Sequence, residues 1–464
     1  ATARQFRLQL TSGGGRTASL NVAELRLEAG ARLGDIGGKA GYTRGAPAEP
    51  ATGDAPADAV IARKDIVDLT DRLQPDGTLN WRPPAGDWTV IRCGYTLTGK
   101  DNHPAPPEGT GLECDKLSAE AADAAFAGMM SLVIADAGPL AGKALNQALI
   151  DSYEVDCQNW TPQMREEFSA RRQYDLTPLL PVLTGRIVDS VDVSERFLWD
   201  FRRTIGDLYT DNYFGRFAEL CHQSGLKLGA EPYGNGNFDD LACGAKADIP
   251  MSEFWVGQGR DVSNAKLAAS AAHTNGRQVV GAEAFTATAE AGRWLNHPAQ
   301  IKPLGDLMEC GGVNRFIFHC YAQQPWRDLT PGMTMGPWGT HFSRTNTWWE
   351  QSVGWMRYLA RCQYVLQSGL FVADLCYLVG ENAPNGSPGR GSLSPAPPVG
   401  YDYDTCSADV VLTRMSVRDG LIVLPDGMSY RLLVLPPRRT MTPELLRKVA
   451  ALVKAGATVI GPKP

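Results

Sequence analysis

ALIDSYEVDCQNWT, residues 148–161, is the stretch that decides the fold. Ala148, Leu149 and Ile150 have the length and character of a strand buried on both faces, and a helix-like segment begins near Thr161-Pro162. Between them come Asp151, Tyr153, Glu154 and Asp156. Side chains alternate faces along a strand, so Asp151 and Glu154 would point oppositely if the strand ran on. Both reach one site only if the strand ends near Asp151 and the chain turns. That places Glu154 on a loop at the strand's carboxyl end.

The arrangement recurs downstream. Glu231 follows Leu226 to Ala230 in LKLGAEPYGNG, Glu253 follows Ile249 to Ser252 in ADIPMSEFW, and Glu283 follows Val279 to Ala282 in QVVGAEAFT. In VNRFIFHCYAQQPW the apolar run Phe316, Ile317, Phe318 ends in His319 and Tyr321. Short strands separated by helical stretches, each delivering a polar group at its carboxyl end, imply an α/β fold: a (β/α)8-type, TIM-like barrel with its site on the top face. Acids after strands also serve as ordinary helix caps and turn formers.

A chain of 464 residues is long enough for about three domains. Its formal charge of -6 is spread among interspersed charges, which argues against a nucleic-acid groove or a polybasic membrane surface. No run of 18 or more apolar residues, the minimum for a spanning helix, is present. The opening residues ATARQFRLQLTSGGG hold no apolar leader, and the chain reads as a piece of something longer. Ten cysteines show no CxxC pair and no zinc-finger spacing, and read as small buried hydrophobes.

In chain order, residues 1–105 read as a jelly-roll-like β-sandwich portion, with strand signals SLNVAELRLEA, DAVIARKDIVDL and DWTVIRCGYTL. Residues 106–365 form the barrel, opening with a helical pattern that Ser118 would cap. In the long helical pattern from Ser194 to Ser224, Phe197, Phe201, Leu208 and Phe214 are core-facing, and Gly225 ends the pattern. GNGNFDD, residues 234–240, lacks the glycine and glutamate of an EF-hand and reads as an Asn-Gly turn. Trp326 and Trp338, flanked by Pro and Gly, could stack on sugar faces; Trp348 and Trp349 belong to the core. Residues 366–464 read as an incomplete Rossmann-like βαβ domain, with Thr442 capping its helix and Gly456 ending it, and without the GxGxxG of a dinucleotide site.

DSYEVDCQNWT, AEPYG, MSEFW, GAEAFT and the upstream GTGLECDKLS together resemble glycoside hydrolase family 106, the bacterial α-L-rhamnosidases. The resemblance implies a periplasmic or secreted barrel enzyme that removes terminal α-L-rhamnose from a glycoside or polysaccharide with inversion, a calcium ion contacting the sugar. It implies Glu154 as general acid and Glu283 as the carboxylate that activates water. Asp151, Tyr153, Glu231 and Glu253, in the matched motifs, become expected partners of the sugar, with Trp326 as a stacking surface; the calcium ligands are not assigned. Set against that resemblance, the chain is expected to lack the family's flanking β domains, or to hold them incomplete, at both ends.

An inverting hydrolysis needs one protonated acid and one ionised base, typically about 6.5–9.5 Å apart. On this reading burial, or the charges of Asp151 and Asp156, keeps Glu154 protonated, while Glu283 stays ionised. The nearest rival is a retaining β-galactosidase-like enzyme, with Glu231 as acid/base and Glu283 as nucleophile about 5–5.5 Å apart. Against it, Ala230 stands where such enzymes place Asn. A non-catalytic carbohydrate-binding module, its acids mere turn formers, is the alternative from outside enzymology.

Overall fold

A computed structural model describes residues 30–45 and 49–463. Its centre is a five-stranded parallel sheet: β1 (Gln147–Ile150), β2 (Lys227–Ala230), β3 (Ile249–Trp255), β4 (Gly281–Thr286) and β5 (Arg315–Phe318), adjacent in that order. Helices alternate with the strands: α1 (Val191–Leu208) and α2 (Arg216–Gln223) precede β2, α3 (Asp240–Lys246) precedes β3, α4 (Ser263–Thr274) precedes β4 and α5 (Pro298–Cys310) precedes β5. This is the βα alternation expected from the sequence, but among the described residues the sheet is an open half-barrel, not a closed (β/α)8 barrel. Its edge strands β1 and β5 do not pair with each other. The open edge also corrects the expectation of burial on both faces of β1, where Leu149 is 47% exposed.

Local chemistry explains the helices. Ser190 caps α1 by accepting from the Val193 amide, and Phe197, Leu198, Phe201, Ile205 and Leu208 then share one buried face. The helical path continues through a π-type turn, Tyr209–Gly215, that buries Phe214. It ends at Gly225, whose φ of 75° suits the left-handed stop after α2. Each of these large apolar side chains contributes about 1.5–3 kcal/mol by leaving water.

Residues 30–105 differ from the sandwich expectation. Residues 19–29 lie outside the described residues, Val60–Ile61 forms a two-residue parallel ladder with Ile187–Val188, and residues 87–97 form no strand. Val90, Tyr95 and Leu97 are exposed there, so this β-prone segment has neither a ladder partner nor a covered face to hold it in a sheet.

After α6 (Val353–Leu366) comes a second parallel sheet of four strands, β6 (Leu375–Leu378), β7 (Tyr403–Cys406), β8 (Leu432–Val434) and β9 (Thr458–Ile460), in spatial order β9-β8-β6-β7. Helix α7 (Pro443–Lys454), capped by Thr442, makes the crossover between the parallel strands β8 and β9. A three-stranded antiparallel sheet, Ser416–Arg418, Leu421–Val423 and Ser429–Tyr430, is inserted before β8.

The alanine-rich α4 lies between the two sheets and is buried along nearly its whole length. It carries a polar staple into the second sheet. Asp404, fully buried, contacts His273 Nδ1 at 3.0 Å and accepts from Tyr430 at 3.0 Å and Ser270 at 3.2 Å, while Lys266 pairs with Asp402 at 2.8 Å. Burial alone would raise the Asp404 pKa; His273 and Lys266 outweigh it and hold the carboxyl below its usual range. A carboxyl depressed in the fold stabilises the native state above its unfolded pKa and loses that contribution as pH falls through the folded one. Asp404→Ala should therefore cost about 3–5 kcal/mol in urea unfolding at neutral pH. A change under about 1 kcal/mol would show that the staple is not a buried charge network.

Candidate active site

Four acids converge at the carboxyl end of the central sheet. Asp151 follows β1 and Glu231 follows β2, with the Glu231 amide bonded to the Ile150 carbonyl at 2.9 Å. Glu253 and Glu283 lie inside β3 and β4 rather than beyond their ends, and the register sets them side by side. Carboxylate oxygens of Asp151, Glu231 and Glu283 lie within 4.8 Å of one another.

Such crowding raises pKa values. Burial, then Asp151, Glu283 and Glu253, push Glu231 well above the carboxylate range. Its side chain is fully buried, and among the described residues neither of its oxygens makes a well-formed hydrogen bond, although the nearby Tyr233 hydroxyl lowers its pKa. Glu283 is pushed up to about 7 by burial, Asp151 and Glu253, while the neighbouring Thr286 hydroxyl opposes the rise. Glu253 is raised chiefly by burial, against Trp255, which lowers it.

Glu154 sits on the loop after β1, as the turn argument expected, but it is exposed rather than buried. It accepts from the Ser152 hydroxyl at 3.2 Å and walls an open cleft of about 550 Å³ whose far side is built by residues 99–105 and Thr110. Asp156, expected to crowd Glu154, is instead paired with Lys100 at 2.6 Å and accepts from Asn235 at 3.1 Å.

Two of the motifs clamp this loop. Asp115, from GTGLECDKLS, accepts from the Leu117 amide at 2.9 Å, from Thr161 at 2.7 Å and from Gln158. On the other side Gly234, φ 138°, bridges to Tyr153; any Cβ there would come 1.9 Å from the Tyr153 carbonyl oxygen, so the close approach requires glycine. The GNGNFDD acids are structural: Asp239 caps α3 by accepting from Ala242, and Asp240 holds Arg44 through two bonds of 2.7 and 2.9 Å.

One expected sugar contact is corrected. Tyr153 is buried in the core, its hydroxyl 3.0 Å from that of Tyr209 and its ring packed edge-on against Tyr209 and Phe238. Trp326 is 56% exposed on the loop after β5 and makes no ring contact among the described residues. The structure instead brings together Trp255 and Trp338, edge to face with centroids 5.9 Å apart. Trp255 lies two residues beyond Glu253 on β3, hence on the same face. Trp348 packs on the core, as expected.

Beyond the acids, the site holds His319, read from the sequence as the polar end of β5, and the unanticipated Thr286. The Thr286 Oγ1 lies 2.7 Å from His319 Nδ1, which is itself 3.6 Å from Glu283. GAEAFT contains Thr286, but nothing in its pattern announces the bulge that turns it toward the acids.

Clustered carboxylates at the carboxyl end of a parallel α/β sheet, beside an open cleft and an aromatic wall, make a site of the kind that glycoside hydrolysis requires. The family model for glycoside hydrolase family 106, alpha-L-rhamnosidase, matches residues 5–464, and the chain belongs to that family. A rhamnosidase structure from Novosphingobium sp. PP1Y is similar with a TM-score of 0.80 and 34% identity over 94% of this chain and 43% of its own. A curated relative from Formosa agariphila, provisionally named a beta-glucuronidase, is 45% identical over 89% of this chain and 35% of its own length. The chain thus spans less than half of either relative.

Proposed function

We propose that this chain carries the catalytic centre of an inverting α-L-rhamnosidase. The observation that carries the reading is the separation of the acids into two environments: Glu154 exposed on a cleft wall, and Glu283 inside the carboxylate cluster. Glu154, as the carboxylic acid, gives its proton to the glycosidic oxygen as the bond from that oxygen to the anomeric carbon breaks. Water attacks that carbon from the opposite face, and its proton passes to the Glu283 carboxylate, leaving rhamnose with inverted configuration. Trp255 and Trp338 offer an apolar wall for the ring face of a sugar.

The calcium ion that the family resemblance implies fits the residues present. Glu231 has two buried carboxylate oxygens that make no well-formed hydrogen bond among the described residues, and with Asp151 and Glu283 it forms a set of hard oxygen donors of the kind calcium takes. These three residues would hold the ion, which when bound supplies positive charge that keeps the acids ionised and a contact for sugar hydroxyls.

The test is turnover of aryl α-L-rhamnoside, β-D-glucuronide and β-D-galactoside, with the first-formed anomer followed by NMR. Release of β-L-rhamnose from the rhamnoside alone is expected. The α anomer appearing first would favour a retaining enzyme, and binding of sugar without turnover by the folded chain would favour a carbohydrate-binding module.

A further inference from the structure

The geometry points to Thr286 and His319 as a positioning pair that orients the Glu283 carboxylate, an inference that rests on the glycosidase reading of this site. In a regular strand, residues three apart face opposite sides, so Glu283 and Thr286 should not meet. Here β4 is bulged, and His319 Nδ1, 2.7 Å from Thr286 Oγ1 and 3.6 Å from Glu283, gathers the three groups. Glu253 pairs with Glu283 but Trp255 pairs with Thr286, so two steps on β3 match three on β4. The extra residue is absorbed at Phe285, whose φ of 61° is the left-handed region that a bulky side chain rarely enters. Phe285 is held there by full burial, its ring 4.9 Å from that of Phe254 and 5.5 Å from that of Phe316. A packed aromatic core thus maintains the irregularity that sets Thr286 beside Glu283.

His319 completes the arrangement. Its amide bonds to the Ala284 carbonyl at 3.0 Å, inside the bulged stretch, and its carbonyl accepts from Thr340 at 2.9 Å. Gly339, φ 93°, crosses over the ring, where a Cβ would come 3.1 Å from Nδ1. The ring is therefore fixed from both sides, with Nδ1 2.7 Å from the Thr286 hydroxyl. A hydroxyl carries a single proton. With His319 donating from Nδ1 to the Thr286 oxygen, the Thr286 proton is left for Glu283, whose carboxylate lies 3.6 Å from the same Nδ1. The pair contacts Glu283, not the reacting carbon, and so positions the base rather than doing chemistry itself.

The experiment compares Thr286→Val, which keeps the shape and loses the hydroxyl, with Thr286→Ser, which keeps the hydroxyl. Each is assayed in the full chain on whichever aryl glycoside the wild type hydrolyses, with Tm recorded alongside. A hydrogen bond to a charged group corresponds to about a 10- to 100-fold rate effect. Thr286→Val should lose about that much kcat with KM nearly unchanged, and Thr286→Ser should restore most of it. Equal kcat in the two variants, or a loss that follows Tm alone, would overturn the proposal. A ring ¹⁵N NMR measurement on His319 separates this from the fate of the glycosidase reading. Protonated Nδ1 in the wild type, perturbed in Thr286→Val, supports the pair even if no glycoside is turned over; unprotonated Nδ1 refutes it.

Discussion

Glu283→Gln should reduce kcat on an aryl α-L-rhamnoside by about 10²–10⁴-fold, the range that a positioned general base contributes. The amide keeps the shape of the carboxylate but cannot accept a proton from water. Glu154→Gln should cause a comparable loss on a poor leaving group, for a different reason: no proton reaches the departing oxygen. The two variants separate when the substrate and nucleophile are changed. An activated leaving group such as dinitrophenolate departs without protonation, so Glu154→Gln should recover much of its rate on it while Glu283→Gln should not. Azide needs no base, so it should rescue Glu283→Gln and give the β-glycosyl azide, attack having come from the face opposite the leaving group. Recovery of Glu283→Gln on the activated substrate without azide would exchange the two assignments. An α-glycosyl azide would mean a covalent intermediate and a retaining enzyme.

How far the sequence reveals this site depends on what each residue's position rests on. Period and punctuation are local, so the strands ending at Ile150, Ala230 and Phe318, the Thr442 cap and the glycine stop at Gly225 could be read directly. Glu253 and Glu283 fall inside their strands because the ladder continues past the apolar run, and ladder length depends on the neighbouring strand rather than on the segment itself. The same non-local dependence explains the sheet's open edges and the unpaired segment 87–97, where β propensity finds no partner. Tyr153 shows the limit for side-chain direction. Its motif membership is plain, but its inward aim is set by Tyr209 and Phe238, more than 50 residues away. The electrostatic division of the acids reads the other way round in the sequence, with Glu154 expected to be buried or crowded by charge and Glu283 to stay ionised. Exposure of Glu154 and the burial that raises Glu283 to about 7 emerge only when five strands and the loop clamps assemble.

Glu231→Gln should uncouple the protein from calcium. An isolated carboxylate buried without a hydrogen-bond partner costs several kcal/mol, so in chelator Glu231 is held protonated by burial and by Asp151, Glu283 and Glu253. An acid whose folded pKa is raised favours the native state at low pH, and that advantage is lost as pH rises from the unfolded value through the folded one. With Glu283 raised from 4.5 to about 7 and Glu231 raised as well, the chelated protein should lose Tm progressively from about pH 5 to pH 8. Calcium at 100 times its Kd should add about 2.7 kcal/mol and flatten that slope. Replacing Glu231 by its neutral isostere removes the proton uptake that folding requires at high pH, so in chelator the variant should match or exceed the wild-type Tm at pH 8. It should also lose most of the calcium-induced shift and the calcium dependence of turnover. A calcium shift of equal size in Glu231→Gln and wild type would place the ion elsewhere. A wild-type Tm indifferent to both calcium and pH across this window would mean that the cluster relieves its charge within the protein, with Glu231 a structural acid rather than a ligand.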